Sequence, residues 1–244
     1  SAGEKDVFVV KLDAAGQYAA NLEAFLRQAP WPITLSIGDP SRNANYRKAH
    51  YPKRKSDEVD SLGAARFAVV ERPGATAETP PQIQALSEIA SRLEAQVTQV
   101  TRLTNQLHNL LSRVFPELAV HTKNLAVAWV VALLDKYPSP ERIARARTTT
   151  LRTIPYLTQA KAQQLQALAR DSIASFRGQV AEQLVREQVR QLRHARAGEK
   201  RLLHMLETAY RDLPQTNGLD SIPGIGVATA AVLTAKMVCI ERFA

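Results

Sequence analysis

The chain has 244 residues, 45% hydrophobic and 23% charged, which excludes a wholly disordered polymer and predicts one or two domains plus an extended element. Lys and Arg number 32 against 23 Asp and Glu, a net charge of +9. This balance favours a polyanionic partner, a basic membrane-surface protein being the other class that shares it. The lone Cys239 excludes a disulfide framework and a cysteine-rich zinc module, and it fits a reducing compartment.

The longest clean apolar run, 125–134, falls well short of the about 20 residues a membrane span requires. No charged-then-apolar signal pattern opens the chain, so a soluble, cytoplasmic protein without a membrane partner is expected. The chain begins at Ser1 rather than Met, which predicts a processed or cut start.

Residues 7–12 (Val-Phe-Val-Val-Lys-Leu) are β-branched and apolar, read as a strand, and run into Asp13-Ala14-Ala15-Gly16. Residues 18–28 carry helical spacing through Leu22, Phe25 and Leu26. Residues 33–37 read as a second strand, stopped by Gly38-Asp39-Pro40. Strand, helix, strand at this length is a βαβ unit with parallel strands, part of a larger α/β domain.

A basic cluster follows. Arg42, Arg47, Lys48, Lys53, Arg54 and Lys55 fall between Pro40 and Ser56 with no acid among them. Unpaired like charges repel, so such clustering predicts neutralisation by a polyanion. Asp57 and Asp60, three apart at a helix start, would project from one face, while Asp13 ends the first strand, where open α/β sheets place active residues. Three such carboxylates suit Mg²⁺ when phosphates supply the remaining oxygens, and paired ions can clamp an in-line phosphoryl displacement. The plainer alternative is helix capping by Ser56 or Asp57, with Glu58 and Asp60 favoured by the dipole.

Residues 75–177 contain no Gly, which predicts mostly helix. Leu86, Ile89, Leu93, Val97, Val100, Leu103, Leu107, Leu110 and Val114 recur at steps of 3 and 4, averaging about 3.5. Either an intermolecular coiled coil or an amphipathic helix on a bundle satisfies that period. Phe115-Pro116 closes the helix, a compact helical section covers 125–170, and a long helix is predicted over 171–211. On it Arg186, Arg190, Arg193, Arg196 and Lys200 share a face, diluted by Glu182, Glu187 and Glu199.

Residues 219–230 contain Ile222-Pro223-Gly224-Ile225-Gly226, a helix-hairpin-helix signature. Backbone N–H groups around Gly224 and Gly226, at the start of the helix that follows, would hold one nucleic-acid phosphate. A plain turn between helices is the alternative.

The run Lys55-Ser56-Asp57-x-x-Asp60 with 64–68 (Ala-Ala-Arg-Phe-Ala) resembles the Lys-Thr/Ser-Asp-x-x-Asp-Ala motif of insertion-sequence transposases with a DEDD, RuvC-like nuclease domain, the bridge-RNA-guided DNA recombinases. Residues 12–18 are similar to that family's Glu-Ala-Thr-Gly-x-Tyr segment, and Asp39-Pro40 stands at its Asn-Pro. Residues 115–118 and 137–140 recur in its helical middle, and 221–243 resemble the opening of its C-terminal serine transposase domain.

The resemblance implies that Asp57 and Asp60 are Mg²⁺ ligands and that Asp13 stands where the family has Glu. It implies DNA and a structured guide RNA as partners, and a homo-oligomer, dimer or tetramer, paired through the coiled coil in a nucleoid-associated setting. It also places the first tetrad Asp before this chain and the nucleophilic Ser after it, so a truncated form, inactive alone in strand exchange, is expected.

The fold expectation is mainly α with a small α/β part: a partial ribonuclease-H-like segment over 1–75, a helical coiled-coil region over 76–212, and a helix-hairpin-helix start over 213–244. The competing functions are a non-catalytic nucleic-acid-binding helix-hairpin-helix protein and a structural coiled-coil scaffold.

Overall fold

The structure, a computed structural model, describes residues 8–13, 17–51, 56–122, 124–214 and 218–237. They fall into two compact units, Ser1–Glu78 and Thr79–Ala244. The described residues are mainly helical, as expected.

In the first unit β1 (Phe8–Asp13) and β2 (Ile33–Gly38) pair in parallel, from Phe8 opposite Ile33 to Asp13 opposite Gly38. The connecting helix α1 (Gln17–Gln28) completes the βαβ unit. The far side of β2 is covered locally: the Thr76 N–H donates to the Leu35 carbonyl at 2.8 Å, and Thr76 Oγ1 accepts from the Ile37 N–H at 2.9 Å. Such bonds satisfy an edge that would otherwise leave backbone groups unpaired.

Two capped helices follow. Asp39 starts α2 (Pro40–His50) by accepting from the Ser41 N–H at 2.7 Å, with Pro40 in the first turn, where its missing N–H costs nothing. Ser56 starts α3 (Asp57–Glu71) by accepting from the Val59 N–H at 3.3 Å. α2 and α3 come close at Gly63, which is buried, and a Cβ there would stand in van der Waals contact with Arg47 Cβ at 3.4 Å. Phe67 is buried between them, with Tyr46 edge-on at 5.1 Å.

The second unit is built on two long antiparallel helices, α4 (Pro81–Val114) and α10 (Gln179–Arg211). At 1.5 Å per residue α4 is about 50 Å long. Gln96 Nε2 donates to the Ala195 carbonyl at 2.8 Å and Gln188 Nε2 to the Leu103 carbonyl at 3.0 Å, fixing the register.

One end of the pair carries a large core of Leu103, Leu107, Leu111, Leu133, Leu165 and Leu192. Around it pack α5 (Pro116–His121), α6 (Ala128–Lys136), α7 (Pro140–Arg145), α8 (Thr148–Leu151) and α9 (Gln159–Arg170). The other end carries a smaller core of Leu86, Leu206, Tyr210, Ala230 and Ala231, made with α11 (Val227–Met237).

The apolar stripe of α4 is therefore used inside the chain. Leu86, Leu103, Leu107 and Val114 are buried, and Ile89, Leu93, Val100 and Leu110 pack on the two cores. Val97 remains 44% exposed. Of the two arrangements the period allows, the bundle is the one that covers this stripe here.

The second long helix starts at Gln179 rather than near 171. Gly178, at φ +91°, breaks it, and 171–178 forms a loop. Glu117 pins that loop by accepting from the Ser172 hydroxyl at 2.7 Å and the Ile173 N–H at 2.8 Å.

Candidate acidic rim and nucleic-acid interface

Asp57 and Asp60 both lie exposed on the first turn of α3, which begins with the Ser56 cap. The capping reading is thus realised, and the acids also sit favourably toward the helix dipole. β1 and α3 wall a groove of about 540 Å³, with Val9, Val10 and Leu12 on one side and Asp60, Ser61 and Ala64 on the other. Asp60 thereby borders the strand that ends in Asp13. For Asp13 the structure describes the backbone, paired opposite Gly38.

Asp60 is not an isolated carboxylate. Arg47 Nε stands 2.6 Å from its Oδ1, with the Arg47 side chain only 13% exposed. The donor chemistry of Asp57 and Asp60 suits a hard divalent cation, but a cation there must share Asp60 with a guanidinium. No group of three or more His, Cys, Asp or Glu placed to hold a metal occurs among the described residues.

The basic cluster is partly used in the same way. Arg47 is paired to Asp60, Arg42 lies over the Phe67 ring at 5.3 Å, and Lys48 is exposed. Lys53, Arg54 and Lys55 lie outside the described residues. The face of α10 follows suit: Arg186 is 3.9 Å from Glu182, Arg190 3.0 Å from Glu187 and Arg193 2.5 Å from Asp135. Arg196 donates to the Ala126 carbonyl. These arginines tie α10 to itself and its neighbours, which leaves less charge for an external polyanion than their number promises.

Sequence reasoning passed over a second acid-free stretch. Residues 142–170 carry Arg142, Arg145, Arg147, Arg152, Lys161 and Arg170 with no Asp or Glu. Glu182 takes Arg142, at 2.7 Å. Arg145, Arg147, Arg152, Lys161 and Arg170 are exposed and have no acidic partner within 4.0 Å among the described residues.

The hairpin expected at 219–230 takes the shape its residues imply. A 3₁₀ turn at Leu219–Ser221 leads through Ile222-Pro223-Gly224-Ile225 into α11. The Ile225 N–H donates to the Ile222 carbonyl at 3.0 Å, and Gly224 has φ +91°, which is a type II turn with Pro at its second and Gly at its third position. A Cβ on Gly226 would meet nothing within 4 Å and its φ lies outside the positive range, so neither packing nor backbone demands glycine there. Open backbone of this kind admits close approach by a phosphate.

A second hairpin of the same build joins α8 to α9. The Leu157 N–H donates to the Ile154 carbonyl at 3.2 Å, the Ile154 N–H to Leu151 at 3.0 Å, and the Ala162 N–H to Thr158 at 2.9 Å. The corresponding bonds at the first hairpin join Ile225 to Ile222, Ile222 to Leu219, and Ala230 to Gly226. The signal was present as Ile154-Pro155-Tyr156-Leu157-Thr158, but tyrosine replaces the glycine that marks such turns.

Comparison with known families agrees with this geometry. Residues 1–116, just under half of the chain, match the family model of DEDD transposases of the IS110 type, described as transposase. Residues 128–171 match a model described as a SAM-like helix-hairpin-helix tandem, which covers α6 to α9 rather than the hairpin at 219–230. No curated protein matches the chain. The two matches bear out the resemblance to DEDD transposases and support a transposase or recombinase role with DNA as a partner.

Proposed function

From a chain whose first 116 residues match the DEDD transposases, we propose a part of an insertion-sequence transposase that cleaves and rejoins DNA strands with Mg²⁺ under a structured guide RNA. The observation that carries this reading is the placement of Asp60 on the groove beside β1, whose last residue is Asp13, in the domain the family model covers. Asp13, Asp57 and Asp60 are the residues that would hold the ion. When bound, Mg²⁺ supplies Lewis-acid stabilisation of charge developing on a scissile phosphate.

This chain's own residues do the rest. Arg47 orients the Asp60 carboxylate. Arg42, Lys48 and the cluster at 53–55 offer charge to a nucleic-acid backbone, and the hairpins of the second unit offer N–H groups and arginines. Because the α4 stripe is occupied within the chain, pairing into a homo-oligomer uses other faces. No described helix is long and apolar enough to cross a membrane, and a nucleoid-associated setting follows from DNA as ligand.

The test is Mn²⁺ binding, followed by electron paramagnetic resonance, together with nicking of supercoiled DNA in Mg²⁺. Asp57→Ala and Asp60→Ala are expected to weaken Mn²⁺ binding and abolish nicking while DNA binding persists. Wild-type DNA binding without any effect of either substitution on Mn²⁺ would establish the second reading, a non-catalytic nucleic-acid-binding helix-hairpin-helix protein. The Arg47–Asp60 pair is the observation that favours this alternative.

A further inference from the structure

Two turns of one build end in two different residues. Gly224 occupies the left-handed position of one hairpin, at φ +91°, and Tyr156 occupies it in the other, at φ +66°. Position three of a type II turn requires positive φ, which glycine adopts readily and an aromatic L-residue adopts only against steric resistance. Such an outlier persists when something outweighs its cost. Packing of its own ring does not, because Tyr156 is 79% exposed. The neighbours Ile154 and Leu157 are buried and hold the turn in place, so the phenol ring is held outward by a rigid base.

The surroundings indicate what the ring meets. Arg152, in the same loop, and Arg147, at the start of α8, are exposed within the acid-free stretch 142–170. Exposed cations close in the chain to a presented aromatic ring are the combination used on single-stranded nucleic acid, where charge tracks the backbone and rings stack on bases. The glycine hairpin, packed at the opposite end of the α4–α10 pair through the smaller core, lacks such a ring and suits a phosphate alone.

We infer that Tyr156 is a stacking platform for an unpaired DNA base, so that the 154–158 hairpin binds single-stranded or distorted DNA while the 222–226 hairpin binds backbone only. This rests on DNA being the ligand of the second unit. A base inside an intact duplex is stacked on its neighbours and cannot meet the ring, so the contribution of Tyr156 is confined to substrates with unpaired bases.

The experiment compares the whole chain with Tyr156→Gly and Tyr156→Phe, using fluorescein-labelled oligo(dT) and a mixed-sequence duplex in the same buffer. Tyr156→Gly is expected to weaken oligo(dT) binding roughly 5- to 150-fold, the range of one base–aromatic stack. It should leave duplex binding and the melting temperature unreduced, since glycine suits the turn. Tyr156→Phe is expected to bind oligo(dT) like the wild type. Unchanged oligo(dT) binding in Tyr156→Gly, or an equal loss on duplex, overturns the stacking inference alone. A wild-type chain that binds neither oligonucleotide overturns both the inference and the DNA-binding reading beneath it.

Discussion

Glu182 holds the start of α7 against α10, and its removal should be visible as a pH-dependent loss of stability. The carboxylate accepts from Arg142 Nε at 2.7 Å and from the Ser139 hydroxyl at 3.0 Å, with Arg186 at 3.9 Å. Its side chain is 14% exposed, so these bonds are partly shielded from water. Ser139 is itself the cap of α7, accepting from the Arg142 N–H, and Glu182 lies in the first turn of α10, where a negative charge suits the dipole.

The Arg142 hydrogen bond, with the Ser139 bond and the two arginine charges behind it, outweighs desolvation and holds the Glu182 carboxyl below its ordinary value. A carboxyl lowered in the folded state stabilises above its unfolded pKa, about 4.3, and loses that contribution as pH falls through the folded value. Glu182→Gln keeps the shape and removes the charge. Hydrogen bonds to a charged group contribute about 1.5–3 kcal/mol, and with Arg142 half-exposed the pair falls toward the low end.

A loss of about 1–2 kcal/mol at pH 7 corresponds to a melting point lower by roughly 2–8 °C for a chain of this length. Thermal melts by circular dichroism, stepped from pH 7 down to about pH 3.5, should show the gap between wild type and variant closing below about pH 4.5. Glu117 is lowered too: burial raises it, but bonds from the Ile173 N–H and the Ser172 hydroxyl prevail. The gap rather than either curve is therefore the measurement. A gap that stays constant across the range, or none at pH 7, refutes the reasoning.

Two further outcomes concern DNA. Gly226→Ala should leave the melting temperature unchanged, since its Cβ meets nothing, yet weaken duplex binding in fluorescence anisotropy. Gly224→Ala, at φ +91°, should cost about 1 kcal/mol of stability as well. Replacing Arg145, Arg147 and Arg152 together by Gln should flatten the dependence of log affinity on log salt by about 0.9 per lost phosphate contact. Replacing Arg190 and Arg193 should barely change it, because both are already ion-paired.

Much of the fold was readable where local chemistry decides it. β-branched runs marked both strands, Gly38-Asp39-Pro40 marked the end of the second, Ser56 marked a helix start, and the absence of Gly over 75–177 marked a helical region. What a local pattern cannot show is a partner distant in the chain. The α4 stripe has the same period whether its cover is another molecule or α10, and the Gln96–Ala195 bond that decides this spans 99 residues. The Arg47–Asp60 pair was hidden for the same reason, each residue having been assigned to a different task by its near neighbours. The hairpin at 154–158 escaped because its diagnostic glycine is a tyrosine. The cations of 142–170 escaped because they are spread over three helices rather than run together.

Charge counted along a sequence and charge available to a ligand are therefore different quantities. In the second unit, the arginine-rich face of α10 is the obvious candidate by spacing, yet Glu182, Glu187 and Asp135 engage three of its arginines and the Ala126 carbonyl a fourth. These contacts are already made in the folded chain, so a phosphate approaching them has to compete with a carboxylate or, at Arg196, with a carbonyl. Arg145, Arg147 and Arg152 are subject to no such competition among the described residues, and they stand at the connections from α7 to α8 and from α8 to α9. Counterion release follows the phosphates a protein newly neutralises, so binding by this unit is expected to concentrate on the loops from α7 to α9, and the long helix acts as the beam that holds them.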